Sequence, residues 1–329
     1  MCQAAGRRST RWRPVSARFG ALPGDVRPPA VAGSFYPAEP DRLRALVTDL
    51  LEAAEPTLPG EPPHGGHRQQ DRPTLGLLVP HAGLMYSGIV AAAGWRRLAR
   101  DEPDAVRAAA DTTVVLLGTN HGAGWLDGIG IWDTGAWRTP LGDVPVDTEL
   151  AGAVADLGPP FAVDPLSHLG EHSIEVQLPL LALVADGARI VPLAVSAGTG
   201  REAIDAGGRL GRLLAARRDV DRRIVVAISS DMAHYPGARD CTAATADLLP
   251  PIVDLEPEDL ARREHVLARR RVPGLVCGMC GVQPAVLGLT ALRAFGAVRG
   301  VALAAATSAD AGGPADRTVG YLAVEFVGV

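Results

Sequence analysis

The sequence predicts one α/β domain, a central mostly parallel or mixed sheet covered by helices on both faces. Two observations predict it. Short apolar runs of strand length alternate with helical periodicity nearly throughout, the pattern of a sheet with helices packed on either side. Three of those runs, residues 75–79, 113–117 and 224–228, end in polar segments that deliver His81, His121 and His234. Open α/β sheets bind ligands at the carboxyl ends of their strands. If these three strands are neighbours, three imidazoles point into one crevice.

The elements follow in order. Residues 27–37 are too rich in Pro and Gly for a helix and read as an extended segment and turn. A helix over 40–55 carries Leu43, Leu46, Val47, Leu50 and Leu51 at helical spacing. Residues 55–72 form a Pro- and Gly-rich loop in which His64 and His67 are solvated. The strand at 75–79 is followed by a helix over 87–100 with Ser87 as its N-cap. After the strand at 113–117, residues 128–132 form a short strand and 137–142 a turn. Asp147 caps a helix to about residue 157. His172 and Glu175, at i and i+3, share a face if their segment is helical, and the apolar helix after them is interrupted by Pro179. A strand at 190–195, a helix at 201–217 and the strand at 224–228 come next. Helices at 257–269 and 284–295 and strands at 298–306 and 319–327 close the chain.

Length and composition bound the function. The chain has 329 residues, 47% hydrophobic and 21% charged, enough for a sizeable core. A net charge of −5 offers no basic footprint for nucleic acid. Every basic residue is Arg, none is Lys. Four cysteines in so long a chain are no disulfide framework, which points to a reduced, cytoplasmic protein. No run is apolar enough to span a membrane. Residues 1–25 hold five arginines, including Arg7-Arg8, without the apolar stretch of a signal peptide, so they read as a disordered leader or a misplaced start ahead of a domain over 26–329.

The candidate chemistry follows from residue type and place. Neutral imidazole binds zinc, copper and iron, and strand ends hold ligands rigidly. Cys277-Gly278-Met279-Cys280 is a lone CxxC pair, half of a zinc-ribbon signature. Cys280 precedes a helix, whose dipole favours a thiolate, so Cys280 is a fourth member of the site. His172 and Glu175 are candidates for the pocket wall or for supporting the ligands, with a structural salt bridge the alternative for the two. Ser229, Ser230, Asp231 and His234 raise a hydrolase reading, which the absence of a G-x-S-x-G elbow weakens. Asp231 serves better by orienting a histidine.

Several ordered blocks resemble the Memo family, whose bacterial members are called AmmeMemoRadiSam system protein B. They are Arg27 with Ala30-Val31-Ala32-Gly33-Ser34-Phe35-Tyr36-Pro37, Pro80-His81-Ala82-Gly83 with Tyr86-Ser87-Gly88, and Leu117-Gly118 with His121. Further along come Arg138-Thr139-Pro140-Leu141, Glu171-His172-Ser173-Ile174-Glu175, Ser229-Ser230-Asp231 with His234, and Cys280-Gly281 with Pro284. The resemblance implies a fold like that of class III extradiol dioxygenases (the LigB-like group). It implies a metal pocket of His81, His121 and Cys280 holding iron or copper, with zinc as a further choice. His234, with Asp231 beside it, matches the dioxygenase's catalytic histidine. A thiolate in place of the dioxygenase carboxylate moves the expectation from ring cleavage toward a redox-type pocket acting on an unidentified small molecule. The animal member's binding of a phosphotyrosine peptide implies the alternative of a non-catalytic peptide- or anion-binding module. The family name also implies a functional link to AMMECR-like and radical SAM proteins.

Overall fold

The computed structural model describes residues 26–54, 72–100, 112–218 and 223–329, so the expected leader and His64 and His67 lie outside the described residues. In chain order the strands are β1 (Val26–Arg27), β2 (Thr74–Val79), β3 (Thr112–Thr119), β4 (Ile129–Ile131), β5 (Ala136–Thr139), β6 (Gly142–Pro145), β7 (Phe161–Val163), β8 (Arg189–Val195), β9 (Arg223–Ser229), β10 (Arg299–Thr307) and β11 (Gly320–Val327). The helices are α1 (Pro40–Ala53), α2 (Leu84–Arg100), α3 (Thr148–Ala155), α4 (Leu178–Val184), α5 (Arg201–Arg217), α6 (Ala238–Val253), α7 (Pro257–Arg269) and α8 (Val282–Phe295).

The main sheet is mixed, in the order β10-β11-β2-β9-β3-β8-β4-β7. Its centre, β2-β9-β3-β8, is parallel. β10 and β11 join antiparallel at one side, and β4 runs antiparallel to β8 at the other. The central strands are continuous apolar runs because both faces are covered, as parallel strands require. On β2, a Cβ at Gly76 would strike Leu292 of α8, whereas Val79 meets Gly94 of α2. Residues 76 and 79 face opposite ways, so α8 and α2 cover opposite sides. One continuous apolar cluster joins both layers. No described helix is long and apolar enough to cross a membrane. This is the mixed, doubly covered sheet that the resemblance implied.

Several local expectations are corrected. α2 starts at Leu84, so Ser87 lies in its first turn and its hydroxyl donates back to the Ala82 carbonyl (2.9 Å) rather than capping. Residues 137–142 are a hairpin, not a turn alone. β5 and β6 pair antiparallel around Pro140-Leu141, and β1 adds parallel to β5 to make a second, three-stranded sheet. Pro179 opens α4 instead of interrupting it, in the first-turn position where its missing N–H costs nothing. α6 was not anticipated, because its Pro250-Pro251 pair reads as a break; both sit in the last turn. Asp147 does cap α3, accepting from the Leu150 N–H at 3.0 Å.

Segment 165–177 crosses the carboxyl edge of the sheet and is fastened by one ion pair. Arg27 Nη1 lies 2.7 Å from Glu175 Oε2, both side chains wholly buried. Glu175 also accepts from the Ala30 and Val31 N–H groups (2.8 and 2.9 Å) and from the Tyr36 hydroxyl (2.6 Å). Arg27 donates to the carbonyls of His168 (2.8 Å) and Glu171 (2.5 Å), and its guanidinium lies over the Trp137 ring at 4.1 Å. Removing one partner of such a pair leaves a buried charge uncompensated. Glu175→Gln is expected to lower unfolding free energy by about 3–5 kcal/mol, read from urea denaturation. An unchanged midpoint would show that the Arg27 carbonyl contacts suffice alone.

Candidate metal centre

Because β9 lies between β2 and β3, the segments after all three strands share one edge. His81 follows β2, His121 follows β3, and Asp231 and His234 follow β9. Cys280 arrives from the opposite end of the chain, just before α8. One ligand atom from each of His81, His121 and Cys280 lies within 4.8 Å of the others, with Cys280 Sγ 3.3 Å from His81 Nε2. Gly281 makes this approach sterically feasible, since a Cβ there would stand 2.5 Å from Ser230 Cβ and 2.8 Å from Thr119 Oγ1.

Hydrogen bonds determine which nitrogens face the crevice. His81 Nδ1 is 3.0 Å from Ser229 Oγ. That hydroxyl has one proton, which it gives to the Ser173 carbonyl at 2.6 Å. Gln177 Nε2 donates to the same oxygen (2.9 Å), its amide oriented by Trp95 Nε1–H on Oε1 (2.9 Å). Ser229 Oγ therefore accepts from His81 Nδ1–H, and the Nε2 lone pair faces Cys280. His121 Nδ1 likewise donates to Glu171 Oε1 (2.9 Å), leaving its Nε2 free. Glu171 also accepts the N–H groups of His121 (2.6 Å), His172 (2.8 Å) and Ser173 (2.9 Å). Burial pushes the Glu171 carboxyl up, but the His121 hydrogen bond and the adjacent imidazoles outweigh it and hold it well below the usual range.

His172 belongs to the same cluster, stacked on His121 at 4.6 Å, edge-on to His81 at 5.4 Å and against Phe35 at 4.8 Å. Glu175, expected on the pocket wall, is instead committed to Arg27. His172 lies in irregular backbone and residues 173–174 are a turn, and only Glu175–Gln177 form a short 3-10 helix, so the two side chains share no helix face. Asp231 does not hydrogen-bond His234, whose Nε2 lies 4.0 Å from Oδ2, too far for such a bond. Asp231 Oδ1 instead takes the N–H groups of His81 (2.7 Å) and Ala82 (3.2 Å), tying the β2–α2 loop to the end of β9. His234 is held through its backbone, donating to the Cys277 carbonyl (3.0 Å), and its buried Nε2 has no hydrogen-bond partner among the described residues. Sequence reading did not assign Ser229, Gln177, Trp95 or Glu171 to supporting roles; the only signal was Glu171 standing next to His172.

Fold and site together define an α/β protein with a histidine- and thiol-lined centre at the carboxyl edge of its sheet. The family model described as "Memo-like protein" matches residues 27–325, and the chain belongs to the Memo family. A MEMO1 family protein of Ignicoccus hospitalis is 36% identical over 308 residues, covering 92% of this chain and 98% of its own. One from Methanocaldococcus jannaschii is 35% identical over 300 residues, covering 90% and 97%. The crystal structure of an uncharacterized Escherichia coli K12 protein covers 77% of this chain and 99% of its own at 18% identity and a TM-score of 0.40.

Burial makes the cluster sensitive to acid. It lowers His172 and His234 to about 4, the separately buried His168 to about 3, and His81 well below its ordinary value of 6.5. The unfolded chain binds these protons first, so their stability contribution is full above about pH 6.5 and lost as pH falls toward 4. Burial raises Asp231 to about 6, partly opposed by its two backbone hydrogen bonds. Asp231 therefore acts in the other sense, holding between about pH 4 and 6 a proton the unfolded chain has released. The metal-free protein is expected to take up about three protons from these groups on unfolding at pH 5, and His168→Gln about two. The slope of unfolding free energy against pH near pH 5, divided by 2.303RT, gives this number; a flat profile there would contradict it.

Proposed function

We propose that this chain is a metal-dependent, redox-type member of the Memo family, with iron or copper held by His81, His121 and Cys280, acting on an unidentified small substrate. The observation that carries this reading is the convergence of one ring nitrogen each from His81 and His121 and the Cys280 sulfur within 4.8 Å. Imidazole with thiolate is a donor set for copper, iron and zinc. Each histidine has its other nitrogen fixed by an acceptor, Ser229 Oγ or Glu171, as metal-ligating histidines do.

The metal, when bound, supplies Lewis-acid and one-electron chemistry. The rest falls to the protein's own groups. His234 is neutral at physiological pH because burial lowers it to about 4. Its unpartnered Nε2 then serves as a proton acceptor at the end of β9. Asp231 keeps the His81 loop against that strand end. Metal-free protein should melt higher with iron or copper added, by the equivalent of about 2.7 kcal/mol at 100 times Kd. A His81→Ala, His121→Ala double variant should show no shift. Equal shifts in both would remove the site.

A second set also lies within 4.8 Å: His121, Glu171 and His172, formally two imidazoles and a carboxylate. That composition favours an extradiol-dioxygenase-like alternative. Glu171 is already occupied by His121 Nδ1 and three backbone N–H groups, so the thiolate set is preferred. Cys280→Ser should weaken metal binding and His172→Ala spare it; the reverse order would establish the carboxylate set. Ser229→Ala, which frees the His81 tautomer, should cost about 10–100-fold in metal affinity by chelator competition.

A further inference from the structure

Two of the side chains at the sheet edge also make an arrangement that needs no ion. Cys280 Sγ lies 3.3 Å from His81 Nε2. The hydrogen bonds behind the ring fix the direction of that contact. Ser229 Oγ gives its proton to the Ser173 carbonyl and takes the one on His81 Nδ1. His81 Nε2 is then an acceptor, and the Cys280 thiol is the donor. Two other polar atoms lie near the sulfur, the Asp231 carbonyl oxygen at 3.6 Å and Ser230 Oγ at 3.8 Å. Both are farther away, and neither is a base.

A nucleophile, a base within reach of its proton, and a third group that orients the base are the parts of nucleophilic catalysis. Here they are Cys280, His81 and Ser229. Gln177 Nε2 donates to Ser229 Oγ and so keeps the hydroxyl proton turned toward Ser173. The thiol is also reachable from solvent. Cys241 and Cys277 are buried, whereas Cys280 is partly exposed, as are His121, His172 and His234. The neighbouring backbone decides between electrophiles. An acyl substrate needs N–H donors for its oxyanion. Those of Cys280 and Gly281 are already spent, on the Asp231 carbonyl (3.3 Å) and on Ser230 Oγ (2.9 Å). A hydroperoxide asks instead for a nucleophilic sulfur and a proton for the departing oxygen.

We propose that, in the metal-free protein, Cys280 and His81 form a thiol–imidazole pair that reduces hydroperoxides. Sγ attacks the terminal peroxide oxygen, an S–O bond forms and the O–O bond breaks. The thiol proton passes through His81 Nε2 to the departing oxygen, which leaves as water or an alcohol. Sulfur is oxidised by two electrons to the sulfenic acid, and the peroxide takes up the same two. The pair uses these side chains without an ion and stands apart from the metal reading. A bound metal occupies both groups and blocks the reaction, and a sulfenic acid in turn takes the thiolate out of the metal's donor set.

The test treats reduced, metal-free protein with hydrogen peroxide and traps sulfenic acid with dimedone, reading each cysteine by peptide mass spectrometry. Cys280 is expected to be trapped about ten-fold or more faster than the thiol of N-acetylcysteine, the gain that positioned proton transfer supplies. Cys241 and Cys277 should lag behind it. His81→Asn keeps an amide nitrogen to donate to Ser229 but lacks Nε2, and should slow trapping at Cys280 about ten-fold or more. A thermal melt shows whether that variant is folded, and the comparison of wild type with the free thiol needs no variant. Trapping at wild-type Cys280 no faster than the free thiol, or equally fast in folded His81→Asn, overturns the pair. Metal binding to reduced wild type is measured alongside. Fast trapping without metal binding leaves the pair standing and removes the metal reading; metal binding with slow trapping does the reverse.

Discussion

The buried ion pair between Arg27 and Glu175 is the constraint on which the rest of the structure depends. Both charges are out of contact with water, a costly arrangement unless every lone pair and proton is used. Here most of them are used: the carboxylate takes a guanidinium, two backbone N–H groups and a phenol, and the guanidinium also reaches three carbonyls. The result is less a gain in stability than a unique placement. The pair joins the first described strand to the segment that carries His168, Glu171, His172 and Gln177.

From that segment the order passes inward by hydrogen bonds with a definite direction. Trp95 orients Gln177, Gln177 and His81 both donate to Ser229, and Ser229 donates to Ser173. Glu171 does for His121 what Ser229 does for His81. One histidine thus leans on a carboxylate and the other on a neutral hydroxyl. The ring backed by Glu171 is the stronger electron donor.

The fold was largely legible in the sequence, and for a physical reason. A parallel sheet buried on both faces demands continuous apolar strands, and amphipathic helices announce themselves by their period. α5 and α7 match the expected ends because each has a polar outer face. α6 hid behind two prolines, and the β5–β6 hairpin behind strands too short to show alternation. In the site, His81, His121 and His234 were legible because each ends a strand, and Cys280 because it begins a helix. Ser229, Gln177, Glu171 and Trp95 were not, since what marks them is the direction of a hydrogen bond between residues far apart in sequence. Glu175 was read as pocket wall from i, i+3 spacing, which carries no information where the backbone is not helical.

His81 and Cys280 stand 199 residues apart along the chain, yet their side chains touch. During synthesis the first of them leaves the ribosome long before the second is made. β9, which separates β2 from β3, also comes after both histidine-bearing strands. A nascent chain therefore offers an ion only loose, unpaired imidazoles, and the complete donor set exists only once the sheet has closed and α8 has docked. A metal held by that set would enter as a step after folding, and its loading would itself report that the chain had been finished and assembled.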